Sequence, residues 1–326
     1  MRSRLGLVAL LCCAACGDDG ASSEPFALVT EDQPAALLSV WGAGADDITV
    51  VGGDPRDGGG PLVYHYDGAG WSKLDTTLRN IDLWWAYGFP NGPVFLSGSQ
   101  GTIVRYENGT FTKLDTPGNQ IVFGMWGSSP TDMWAVGGSF GGAGFVWHYD
   151  GTAWTVAPSV DPAIVADNTI WKVGGRSATD LWMSGTNGLT LHWNGSTMER
   201  VDVSTDSSLF SVAGNAERFI TVGGAFSGEI WENTGTGWKS TLPPGGPTLT
   251  GVTVSADDAY AVGSDGVILR RGSGTWSTED HLTNQHLHAA FTDPEGGVWT
   301  VGGDYDASPT RGGVLLHKGT QLMGSF

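Results

Sequence analysis

Residues 121–156 read IVFGMWGSSPTDMWAVGGSFGGAGFVWHYDGTAWTV, and this stretch decides the fold. Its apolar residues fall into four short runs, at 122–126, 133–136, 145–149 and a fourth opening at Trp154. Each run stops in a cluster of Gly, Pro, Asp or Ser, the pattern of strands separated by tight turns. The order recurs along the chain. The glycine closing the second run stands at Gly52, Gly98, Gly137, Gly185, Gly223, Gly263 and Gly302, spaced 38 to 48 residues apart. The third run recurs as Val63-Tyr64-His65-Tyr66, Val104-Arg105-Tyr106, Val146-Trp147-His148-Tyr149, Leu191-His192-Trp193, Ile230-Trp231, Leu269-Arg270 and Leu316-His317. A period of about 42 residues is that of a propeller blade or solenoid unit.

One such unit buries too little apolar surface to offset the entropy of ordering its backbone, so each sheet has to be covered by neighbours on both faces. Met133 and Ala135 alternate with Trp134 and Val136, which makes both faces of that strand apolar, as a sandwiched sheet requires. Radial packing meets the need and leaves only short, protected edges. The expected fold is therefore all-β, a seven-bladed β-propeller with four antiparallel strands per blade, over residues 26–326. Two closures of the ring are open at this stage. Residues 26–29 add a strand to the seventh blade, or residues 321–326 complete it alone.

Composition narrows the function classes. The chain has 52 Gly in 326 residues, but its 15 Trp and its strand periodicity set it apart from low-complexity sequence. All three cysteines, Cys12, Cys13 and Cys16, precede the repeats, which leaves the folded part without a disulfide or a cysteine metal site. The formal charge is −18, and without the first fifteen residues, which hold Arg2 and Arg4, 14 basic groups face 34 acidic ones, or −20. Such a surface repels phosphate backbones, so nucleic acid is excluded as a partner, and it keeps a Trp-rich β protein soluble as an expected monomer.

The first residues carry an address. Arg2 and Arg4 precede an apolar run at 5–11 and then small residues before Cys16; the run is too short to span a bilayer. Ala14-Ala15-Cys16 followed by Gly17-Asp18-Asp19-Gly20-Ala21-Ser22-Ser23 resembles bacterial lipoproteins, with Cys13 where that family usually has Leu. The resemblance implies a signal peptide at 1–15, lipidation of Cys16, a tether at 16–25, and anchoring to a membrane of the cell envelope, at the outer membrane or the periplasmic face. A secretory signal cut after Ala15 is the other reading.

The repeats carry a second resemblance. Asp-x-Trp-Ala-Val-Gly, then Asp67-Gly68-Ala69-Gly70-Trp71 and Asp150-Gly151-Thr152-Ala153-Trp154, look like the seven-bladed propellers of the photosystem II assembly factor type and the Asp-box (BNR) repeats of sialidase-like proteins. The present boxes are one residue shorter than the Asp-box and lack its Ser. The diglycines Gly52-Gly53, Gly137-Gly138, Gly223-Gly224 and Gly302-Gly303 also resemble kelch repeats. Neither signature of a WD40 repeat is present. These likenesses imply the fold; propellers host many unrelated activities.

In an up-and-down blade, the turns joining strands one to two and three to four share one rim. Asp47, Asp132, Asp180 and Asp258 recur there, in keeping with turn capping rather than catalysis. The turns joining strands two to three lie on the other rim and vary, which marks a binding face. Blades 2, 4 and 6 have minimal turns at Ser99-Gln100-Gly101, Thr186-Asn187-Gly188 and Ser264-Asp265-Gly266, whereas 54–60 and 304–312 are long. Closure at seven makes those two loops neighbours. Asp54, Arg56, Asp57, Asp304, Tyr305, Asp306 and Arg311 are then expected in one polar binding patch, with Phe140 and Phe226 elsewhere on the rim.

His65, His148, His192 and His317 share one repeat position on separate blades, where they cannot converge on one ion, so no metal is expected from them. His281, His286 and His288 form a weaker histidine group. The 54–57 loop is too sparse for an EF-hand-like site and leaves room only for an incidental calcium, so no cofactor is expected. No catalytic residue is assigned: the sequence has no Arg-Ile-Pro, Gly-x-Ser-x-Gly or phosphate loop. The expectation is a non-catalytic, lipid-anchored propeller outside the cytoplasm that binds a protein or glycan through its variable rim. A carbohydrate-active enzyme of the Asp-box type and an assembly factor for a membrane complex are the alternatives.

Overall fold

The computed structural model describes residues 24–242, 245–256 and 258–326. The signal peptide expected at 1–15, Cys16 and the expected tether up to residue 23 lie outside the described residues. Seven four-stranded antiparallel sheets form seven blades. Their inner strands are Leu37–Gly44, Leu83–Gly88, Ile121–Ser129, Ile170–Ser177, Leu209–Gly214, Leu249–Val254 and Leu287–Thr292, for blades 1 to 7 in that order. Each inner strand packs against the inner strands on either side, and blade 1 meets blade 7, so the ring is closed.

The last blade is finished by the start of the repeat region. Phe26–Gln33 pairs antiparallel with Arg311–Lys318, from Phe26 opposite Lys318 to Gln33 opposite Gly313, and forms the outer strand of blade 7. Residues 26–29 are thus part of an eight-residue strand. The alternative closure by 321–326 is overturned, because the edge it needed is already occupied by Phe26–Gln33. Those residues cross onto blade 1 instead. Met323 N donates to the Tyr66 hydroxyl at 2.9 Å, and the Phe326 ring lies 4.5 Å from Tyr64 and 4.7 Å from Trp71.

The core is divided among the seams between blades. Leu37, Val50 and Leu62 of blade 1 pack with Trp299, Val301 and Leu315 of blade 7, and Phe95 and Ile103 of blade 2 with Met125, Met133 and Trp147 of blade 3. Trp182 faces Val212 and Phe219 across the seam of blades 4 and 5. The apolar residues on both faces of the second strands therefore serve two seams at once, as the alternation at 133–136 requires.

The recurring aspartates and histidines find each other within single blades. His65 Nε2 lies 2.9 Å from Asp47, His148 Nε2 2.7 Å from Asp132, His192 Nε2 3.0 Å from Asp180, and Arg270 Nε 2.5 Å from Asp258. Each pair ties the third strand to the start of the second at the same rim. Among the described residues no group of three or more His, Cys, Asp or Glu is placed to hold a metal ion.

Candidate functional site

The periodic glycine builds the site. A Cβ on Gly52, Gly98, Gly137, Gly185, Gly223, Gly263 or Gly302 would lie under 3.0 Å from the carbonyl oxygen of Ala36, Asp82, Ile121, Thr169, Ser208, Thr248 or His286 respectively. In six blades that carbonyl accepts the N–H of the residue after the glycine, at 2.8 to 3.0 Å. The close approach puts a β-bulge into every inner strand two residues beyond the carbonyl. A bulge leaves one residue out of the ladder and re-aims its side chain. The residues left out are Leu38, Trp84, Phe123, Trp171, Phe210, Thr250 and His288.

Six of these seven line one cavity of about 450 Å³ at the mouth of the central channel, and Leu38 packs with Trp84 and Phe123. Phe123 lies 5.3 Å from Trp84 and 4.9 Å from Trp171, and Trp171 lies 5.8 Å from Phe210. On the other side His288 is 5.6 Å from Trp84 and 5.2 Å from Tyr305. Phe140, 65% exposed, stands over Trp84, Phe123 and Trp171 at 6.1, 5.3 and 5.8 Å. The result is an aromatic cup.

Its floor comes from the next residue of each inner strand. That position is Ser39, Gly124, Ser211, Gly251 or Ala289 in five blades, and Trp85 and Lys172 in the other two. The two large side chains meet: Lys172 Nζ sits 4.5 Å from the centre of the Trp85 ring, donates to Phe123 O at 2.7 Å, and is 4% exposed as a residue. Trp85 Nε1 in turn donates to Met125 O at 2.9 Å. Among the described residues no carboxylate pairs with Lys172, and burial lowers its pKa to about 7. His288 Nδ1 lies 2.5 Å from Leu38 O, and since a carbonyl only accepts, Nδ1 carries the proton. Burial and then the charge of Lys172 lower the His288 pKa to about 3, against the opposing hydrogen bond to Leu38 O, so this imidazole is neutral. Burial, with the charge of Asp306, raises Tyr305 to about 12. The indole N–H groups of Trp84 and Trp171 have no acceptor in the protein.

The residues singled out in the sequence divide three ways. Phe140, Tyr305 and Asp306 line the cup. The 304–312 loop reaches the base of the 54–60 loop, where the Thr310 hydroxyl accepts from Ala36 N at 3.3 Å beside Gly53, yet the charges of both loops are spent locally. Arg56 pairs with Asp54 and with Asp82 at 2.7 Å, Asp54 is buried under Asn80 N and Arg56 N, Asp57 caps Gly59 N, and Arg311 pairs with Asp304 at 3.0 Å. Phe226 is 100% exposed and stands outside the cup. The histidine group spends ring nitrogens on the backbone, His281 on Asp265 O and His286 on Asp265 N.

Sequence reasoning missed Trp84, Phe123, Trp171, Lys172 and Phe210 as site residues, and weighed His288 only as a metal ligand. A signal was present: aligned on the periodic glycine, the bulged position reads Leu, Trp, Phe, Trp, Phe, Thr, His, after an aliphatic residue in every blade.

Several solved propellers share this architecture. Streptogramin B lyase superposes with a TM-score of 0.71 at 13% identity, over 89% of this chain and 96% of its own. YCF48 bound to D1 peptide gives 0.67 at 13%, over 91% and 97%. The extracellular domain of a hybrid two component system of B. thetaiotaomicron gives 0.63 at 11%, over 88% of this chain and 40% of that one. The likeness is one of fold. No protein-family model and no curated protein sequence matches the chain.

Proposed function

We propose that the chain is a non-catalytic binding propeller that works outside the cytoplasm, tethered by lipid on Cys16, and takes its partner at the rim of the strand-two to strand-three turns. One observation carries the reading: six of the seven bulges, one per blade, turn side chains of differing chemistry into a single concave aromatic mouth. A concave, mostly apolar pocket with a few polar groups is the usual form of a ligand site. Its lining is mostly aromatic with a few polar groups, which supports recognition. Of the similar propellers, one is seen with a bound peptide and one is an extracellular domain, in keeping with a protein or glycan partner met outside the cell membrane.

Capture from the native envelope tests the site. Phe140→Asp places a charge on the lip of the cup without opening the core, and is expected to reduce the captured partner by at least about tenfold. Phe226→Asp, on the same rim but outside the cup, leaves capture unchanged. Equal capture by the wild type and Phe140→Asp would place the partner elsewhere. In the same cells, Cys16→Ala is expected to move the protein from the membrane to the soluble fraction.

A further inference from the structure

Resting on the mouth being the binding site, we propose that the group entering the cup is a carboxylate carried on a flat apolar body, the acid reaching Lys172 and the body lying among Trp84, Phe123 and Trp171. The floor argues for an anion. The Lys172 ammonium has one carbonyl and one ring face as partners, and two of its three donors are uncommitted. An ammonium enclosed in this way is costly to keep unless something binds to it. A cationic ligand would meet that charge with no carboxylate at the floor, since Asp306 alone among the lining residues is acidic.

The walls argue for an apolar body rather than a polyol. Thr248 and Thr250 already donate their hydroxyl hydrogens, to Ala225 O and Leu287 O. The remaining wall is mainly aromatic, with Ser264 and Asp306 its other polar side chains apart from the histidines and Tyr305. A cavity of about 450 Å³ accepts a small-molecule acid or one terminal residue of a chain.

Charge at Lys172 then sets a pH dependence. The inner strands on either side, Ile121–Ser129 and Leu209–Gly214, contribute no ionisable side chain, and Tyr87 of blade 2 has its hydroxyl on Gly127 O. Asp132, His148, Asp180, His192 and Arg176, on strands packed nearby, are paired among themselves at the opposite rim. From the mouth come His286, Tyr305, Asp306 and the neutral His288. The Lys172 pKa of about 7 rises when a carboxylate docks, so above pH 7 binding takes up a proton. Affinity for the acid is flat between the ligand's own carboxyl pKa and that value, and falls by up to tenfold per pH unit above it.

The experiment titrates the soluble domain with 3-phenylpropionate, its neutral amide 3-phenylpropanamide, and phenethylammonium, following tryptophan fluorescence and heat. At about pH 6 the acid is expected to bind at least about tenfold tighter than the amide, with the ammonium weakest, and the preference shrinks by about pH 8.5. Lys172→Met brings acid binding down to no better than that of the amide and erases both the preference and its pH dependence. A peptide ending in free Phe, compared with its C-terminal amide, tells a chain terminus from a free acid as the source. The proposal is overturned if acid and amide bind alike to the wild type at about pH 6, if Lys172→Met keeps the preference, or if none of the three binds. Loss of partner capture in Phe140→Asp would still stand in those cases, and only equal capture would remove the mouth itself.

Discussion

The two rims of this propeller use the same repeat in opposite ways. At the rim of the one-to-two turns, four blades hold a pair of the same kind, Asp47 with His65, Asp132 with His148, Asp180 with His192 and Asp258 with Arg270, each closed within its own blade. At the other rim the aligned residues Leu38, Trp84, Phe123, Trp171, Phe210, Thr250 and His288 differ from blade to blade and converge on one axis. A repeated residue answers a need that each blade has. A varied residue at a position where the ring brings all copies together answers a need of the whole. Chemistry at the second rim also runs against stability: an ammonium without a counter-ion is held at the floor, as expected where a site is maintained for function.

The comparison breaks most readily at the bulge. Gly137→Ala drives a Cβ into the Ile121 carbonyl and the Phe145 ring, with no flexible side chain able to yield fully, and is expected to cost more than about 3 kcal/mol in chemical denaturation. Gly70→Ala, with open space at its Cβ, leaves the denaturation midpoint where it is. If Gly137→Ala were equally silent, the periodic glycine would not be what shapes the mouth.

Lys172→Met comes next, with the opposite sign. The folded lysine has its pKa lowered to about 7 while the unfolded one keeps the ordinary value, so between the two the unfolded state binds the extra proton and wild-type stability rises with pH. The variant removes that part of the slope and is expected to be more stable near neutrality by on the order of 3 kcal/mol, read as a denaturation midpoint over a pH series. A destabilised variant would mean that the ammonium is a structural plug.

The smallest effect belongs to the far rim. His148→Ala removes one of several equivalent pairs, with both partners about a third exposed, and is expected to shift stability by less than about 1 kcal/mol and to leave ligand binding unchanged. An effect on binding would show that the two rims are coupled through the blade.

Blade number and strand order were legible because Gly52 to Gly302 recur in register and the apolar runs between them have strand length. The long turns pointed to Phe140, Tyr305 and Asp306, which do reach the cup. Asp54, Arg56, Asp304 and Arg311 were legible as charged loop residues, but their charges are satisfied within their own loops, over two residues for Arg56 with Asp54 and seven for Arg311 with Asp304, or by Asp82, a partner no local pattern names. Trp84, Phe123 and Trp171 read as ordinary strand core, since a period of two has no place for a residue that leaves the ladder.

By itself, then, the sequence determined the repeating four-stranded unit, its sevenfold count and the rim where loops diverge, because turn residues and strand periodicity act over a few neighbours. Only the tertiary structure decided that Phe26–Gln33 fastens the ring and that Trp85 of blade 2 meets Lys172 of blade 4 on the axis. Those contacts join residues far apart in the chain, and closing the circle is what makes them neighbours.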